Sequence, residues 1–261
     1  MLNGKWKILI ECIPYMLGML GMKYVISEPL GYPGMIDFSD VALVLTGGIF
    51  LIGFMLAGTM ADYKESEKIP GDLASIFETF EESIHQGVNA NKTPIEKKIY
   101  MTELRAAIDA VMKWLLKKLS QEEMYSALSR LGTYVCKFEK EGVNGGLCGK
   151  MLGDIHNVRK LVTRVGVISR TGFLATGYAL LEVLIACIIA VLMIAKFKNL
   201  IAEMIIVAFV TLIYVYMYKL IKDVDDPFEY DPDGETGVSE IPLFPMEEYI
   251  ERLEKRMSDG N

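Results

Sequence analysis

Seven carboxylates stand within thirteen residues at positions 223–235, in the stretch DVDDPFEYDPDGE. Oxygen donors at this density suit a hard divalent cation, and calcium takes roughly six to eight of them. Asp223, Asp225, Asp226 and Glu229 are the candidate ligands, and calcium is the one cofactor that the chain could hold by this reading. No EF-hand spacing fits the strip, and Pro227 and Pro232 impose an extended turn. The leading reading is therefore a solvated clasp that holds no cofactor and whose acids pair with Lys and Arg of the cytoplasmic helices. A further carboxylate, Glu182, falls inside an apolar run. A charge at the centre of a bilayer costs roughly 2.5–3.5 kcal/mol, so an acid there is a candidate for ion or proton movement. The alternative is a protonated Glu182 bonded to a neighbour such as Tyr178, one turn earlier.

Other chemistry finds no support. There is no GxSxG, no Walker loop, no HExxH and no CxxC, and the two histidines, His85 and His156, are far apart. The chain is read as not an enzyme. Its net charge of −7 gives no signature for nucleic acid.

The elements around the acids are greasy. Hydrophobic residues make up 52% of the 261, concentrated in four runs at 6–26, 41–60, 173–195 and 199–218. A helix needs about 20 apolar residues to cross a bilayer, and each run is long enough. Lys5 and Lys7, Lys64 and Lys68, Arg159, Lys160, Arg164 and Arg170, and Lys219 and Lys222 all flank the same side of a four-span path. By the positive-inside rule that side is the cytoplasm, with both termini inside. Lys196 and Lys198 in the second outer turn are the contrary charges. Arg159, Arg164 and Arg170 form a basic flank that either marks the inner face or lines a vestibule or lipid contact.

The insert at 62–171 reads as helices. Leu73, Ile76, Phe77 and Phe80 recur at helical spacing after Pro70. Thr93-Pro94-x-Glu96 and Ser120-x-x-Glu123 read as capping boxes. GVNGGLCG reads as a break before a last helix at about 150–170, and no strand pattern is visible. The expected fold is all-α and polytopic, with four transmembrane helices and a helical cytoplasmic domain. Its segments are 1–61, 62–171, 172–222 and a tail at 223–261. In the tail, Leu243, Phe244, Met246, Tyr249, Ile250 and Leu253 can lie along a neighbouring helix.

This layout, with ADYKESEKIPGDLASIFETF after the second run, RKLVTRVGVISRTGF before the third and DVDDPFEYDPDGETGVSEIPL after the fourth, resembles the bestrophin-like membrane proteins, in particular their divergent prokaryotic and plant branch. The matching tail residues are Asp223, Asp225, Pro227, Phe228, Gly234, Val238, Ser239, Pro242 and Leu243. The resemblance implies a pentameric chloride or other anion channel in a cell membrane, with lipid and small inorganic ions as partners. It implies a pore along the five-fold axis lined by the second span, where Thr46, Phe50 and Phe54 form one stripe. It also implies calcium gating at a cluster in the position of Asp223, Asp225, Asp226 and Glu229. The alternative function is a non-conducting membrane scaffold or sensor that binds a partner through its cytoplasmic helices.

Overall fold

The computed structural model describes residues 6–32, 34–171, 175–230 and 239–259. Lys5, Phe173, Asp231, Pro232, Asp233, Gly234, Glu235 and Val238, all used in the sequence reading, lie outside the described residues. The fold is all-α. The chain divides into two compact units, Met1–Tyr63 with Thr171–Asp226, and Lys64–Arg170 with Pro227–Asn261.

The first unit contains α1 (Lys7–Ser27), the greater part of α2 (Phe38–Ser66), α7 (Ala175–Ile194) and α8 (Leu200–Asp225). α1, α7, α8 and the helix starting at Phe38 are each long and apolar enough to cross a membrane. α2 outruns its apolar stretch because nothing between Met60 and Ser66 breaks a helix. Val41, Leu45, Gly48, Ile52, Met55 and Thr59 form its buried face, at alternating steps of four and three residues. That face joins Leu181, Ile188 and Leu192 of α7 and Val207, Tyr214 and Ile221 of α8 in one core. α1 packs along α8. Two two-residue strands, β1 (Ile36–Asp37) and β2 (Ala195–Lys196), pair in parallel at the start of α2 and the end of α7. The sequence reading expected no strand, and a segment of two residues has no period to detect.

The second unit is built on α3 (Ile69–Ala90), with α4 (Lys97–Leu115), α5 (Gln121–Lys140), α6 (Gly145–Ile168) and α9 (Phe244–Ser258). α3 buries Leu73, Phe77, Phe80 and Ile84 and packs against α4, α6 and α9. The Ser120 hydroxyl accepts from the Glu123 amide and the Glu123 carboxylate accepts from the Ser120 amide, so that capping box forms as read. The one expected at Thr93 does not. Asn91 donates from its amide to the carbonyls of Thr93, at 3.2 Å, and Glu141, at 3.0 Å. The chain at 91–96 is thereby used as a tether, and α4 starts only at Lys97. α6 likewise starts earlier than read. Asn144 accepts from the Gly146 amide at 2.8 Å, so the glycine-rich stretch becomes its first turn.

α9 docks on α3 through Met246, Tyr249 and Leu253, all fully buried, while Phe244 stays exposed. The Tyr249 hydroxyl donates to the Phe77 carbonyl (3.1 Å) and the Glu81 carboxylate (3.2 Å). Arg256 grips Glu81 with two bonds of 2.8 and 2.6 Å. Burial pushes the Tyr249 phenol well above its usual range, and the Glu81 carboxylate beside it adds to the shift.

Candidate functional site

The second helix presents two faces of different character. The face carrying Gly48 is seated on α7 and α8. A side chain at position 48 would meet the Tyr214 hydroxyl and, at 2.8 Å, the Ile188 Cδ1 atom. Only glycine lets the helices approach this closely, a use of small residues common between membrane helices. Tyr214 then donates to the Leu45 carbonyl at 2.7 Å across the contact. With that face seated, Leu43, Thr46, Phe50 and Phe54 point away from the core. Phe50 is 77% exposed and Phe54 71% exposed. The Thr46 hydroxyl turns back to the Ala42 carbonyl at 2.9 Å, so the stripe offers mainly apolar surface. No charged residue occurs between Val41 and Met60.

Glu182 lies on α7, away from the α2 stripe in the sequence of elements. Its hydrogen-bond donor is Tyr218 of α8, at 2.8 Å. The sequence reading nominated Tyr178. The helical step from 178 to 182 suggested it, but the antiparallel α8 brings Tyr218 to the carboxylate instead. The two tyrosine rings meet edge to face with centroids 6.5 Å apart, and the Tyr178 hydroxyl lies beside Asp225. α7 and α8 thus each supply a tyrosine to the other's carboxylate.

The basic flank is engaged within the second unit. Arg159 donates to the Ser129 hydroxyl at 2.8 Å and lies over the Tyr125 ring. Arg164 makes a bidentate pair with Glu65, at 3.0 and 2.7 Å. Arg170 donates to the Gln121 side chain at 2.6 Å. Of the three, Arg164 is in a two-bond carboxylate pair, the strongest geometry available to a guanidinium.

The described part of the acidic strip is divided between the end of α8 and the chain that follows it. Asp223 and Asp225 belong to the last turn of α8, and Asp226 caps it. Glu229 is exposed between Phe228 and Tyr230, both buried. Tyr230 donates to the Ile241 carbonyl at 2.9 Å, and the Ile241 amide donates to the Pro227 carbonyl at 3.0 Å. Among the described residues, no group of three or more His, Cys, Asp or Glu is placed to hold a metal ion.

One buried charged group was missed by sequence reasoning. Lys23 of α1 is 2% exposed. Its ammonium donates to the carbonyls of Met193 and Ala195, both at 2.9 Å, and pairs with Glu203 at 3.0 Å. Ser27 donates to the same Glu203 oxygen at 2.5 Å. By sequence, Glu203 and Glu11 lie towards the ends of their apolar runs, where a carboxylate can reach water. Glu203 is instead buried, because the pairing satisfies it. Glu11 remains partly exposed and pairs with Lys219 at 2.7 Å. A lysine in an apolar run was the only available signal, and its partners lie some 170 residues away.

No protein-family model matches the sequence, and no curated protein matches it. Solved structures of a bacterial bestrophin homologue from Klebsiella pneumoniae do match in fold. One variant superposes with a TM-score of 0.76 at 16% identity, covering 97% of this chain and 98% of that one. A second gives 0.75 at 16% identity over 95% and 99%, and a structure phased with zinc gives 0.73 at 15% over 95% and 98%. The helix order, the four apolar helices and near-complete coverage in both directions show that this chain has a bestrophin-like fold.

Proposed function

We propose that the chain is one subunit of an oligomeric, anion-conducting channel of the bestrophin-like type, with α2 lining the pore. The observation that carries this reading is the uncovered stripe of Leu43, Thr46, Phe50 and Phe54, whose two phenylalanines are more than two-thirds exposed in a single chain. Five copies around an axis, the number the resemblance implies, would turn this stripe into stacked aromatic rings. Such rings constrict by excluding water. Their edges carry partial positive charge, which favours a partly dehydrated anion over a cation. The stripe has no carboxylate, and Glu182 stands on another helix, held by Tyr218. In this reading the termini are cytoplasmic, and the second unit lies on that side.

Planar-bilayer recording of the purified, reconstituted protein under a chloride gradient tests the proposal. The wild type is expected to pass anion current, and Phe50→Ala with Phe54→Ala to raise conductance by widening the constriction. Wild-type silence would favour the scaffold reading. Unchanged currents in the double variant would remove both residues from the pore.

A further inference from the structure

We infer that Lys23 is a positioning residue for the entrance to the α2 stripe, acting through the β1–β2 bridge. The inference rests on the reading of α2 as the pore helix. An ammonium has three protons, and here it donates to the Met193 and Ala195 carbonyls and forms an ion pair with Glu203. The Met193 carbonyl lies in the last turn of α7, at its negative end, and Glu203 sits in the first turn of α8, at its positive end. One buried cation therefore closes the turn between α7 and α8, with the Phe197 ring 5.3 Å from it.

The same turn supports the start of α2. The Ala195 carbonyl that Lys23 holds belongs to β2, whose partner β1 leads directly into Phe38. Two strands of two residues are too short to stand alone, so their pairing depends on what fixes β2. Three contacts transmit the position. The Met35 amide donates to the Ile194 carbonyl at 2.8 Å. Phe38 stacks on Phe197 with ring centroids 5.2 Å apart. Gly34, at φ +80°, approaches so closely that a Cβ would lie 2.8 Å from the Lys196 Cα atom. A cleft of about 590 Å³ opens beside this junction, lined by Asp37, Ser39, Lys196 and Lys198 among others. Lys23 is thus one step behind the surface that an ion would meet on reaching α2.

The test uses the full-length assembled protein. Lys23→Met alone would strand Glu203 as a buried, unpaired carboxylate and endanger folding, so the deciding variant is Lys23→Met with Glu203→Met. Replacing a buried pair by apolar groups of similar volume is often tolerated, while the Met193 and Ala195 carbonyls still lose their donor. Glu11→Gln is the control, since it breaks the other ion pair between α1 and α8. Hydrogen exchange of the segment at 34–38 should accelerate roughly tenfold or more in the double variant and stay at the wild-type rate in Glu11→Gln. The unitary current of the double variant should change as well. Unaltered exchange at 34–38, or equal acceleration in the control, would overturn the inference. So would a changed exchange rate with an unchanged unitary current in a conducting protein. A silent wild type would count against the channel, while the exchange measurement would still decide whether Lys23 holds the junction.

Discussion

Substituting Gly48 by alanine adds one methyl group where the structure has no room for it. The new carbon would sit 2.8 Å from the Ile188 Cδ1 atom and in overlap with the Tyr214 hydroxyl. Overpacking of this kind costs about 1–3 kcal/mol. Displacing Tyr214 also breaks its 2.7 Å bond to the Leu45 carbonyl, and a bond between membrane helices contributes on average about 0.6 kcal/mol. The expected loss for Gly48→Ala is therefore about 1.5–3.5 kcal/mol. Tyr214→Phe should cost only about 0.6 kcal/mol, since it removes the hydroxyl and keeps the ring. It also removes the atom that the new methyl overlaps. The two substitutions are thus coupled, and the double variant should be more stable than the sum of the single losses by about 1 kcal/mol. Equilibrium unfolding of the four proteins in one detergent measures the cycle. Additivity within about 0.3 kcal/mol would refute the claim that Gly48 and Tyr214 meet, and with it the seating that turns Phe50 and Phe54 outwards.

Tyr249→Phe gives a prediction in pH. Burial raises the phenol above the ordinary tyrosine value of about 10, so the folded state holds that proton more tightly than the unfolded state does. Its contribution to stability is whole below pH 10 and is lost as the pH climbs past it. The difference in stability between wild type and Tyr249→Phe should therefore shrink on raising the pH from 9 to 11, and a constant difference would contradict burial of the hydroxyl. Glu182→Gln preserves an acceptor for Tyr218 and is expected to leave both assembly and current as in the wild type. Loss of current from an assembled Glu182→Gln protein would place this acid on the conduction path. Together with the bilayer recordings of the Phe50 and Phe54 variants and the exchange measurements on Lys23, these experiments examine both faces of α2 and the two ends of its support.

Single-residue properties and short spacings were enough for the all-α fold. The length and apolarity of four runs follow from the hydrocarbon thickness that a helix must match. The step of Leu73, Phe77, Phe80 and Ile84 shows the buried face of α3, and Ser120 with Glu123 caps its helix through contacts only three residues apart. What failed was each property that needs a distant partner. Thr93 and Glu96 have the same local pattern as Ser120 and Glu123, but the Asn91 amide ties that segment to the Glu141 carbonyl and it stays outside the helix. Lys23 and Glu203 are far apart in the chain, and only the packing of α1, α7 and α8 brings them to 3.0 Å. Glu182 passes from Tyr178 to Tyr218 because two helices run antiparallel. The stripe of Thr46, Phe50 and Phe54 was visible as a period on α2. Which side of α2 is covered was decided only by the fit of Gly48 against Tyr214 and Ile188. Hydropathy and spacing are written along the chain. The choice of partner depends on which surfaces approach closely enough to exclude everything else, and only the tertiary structure contains that.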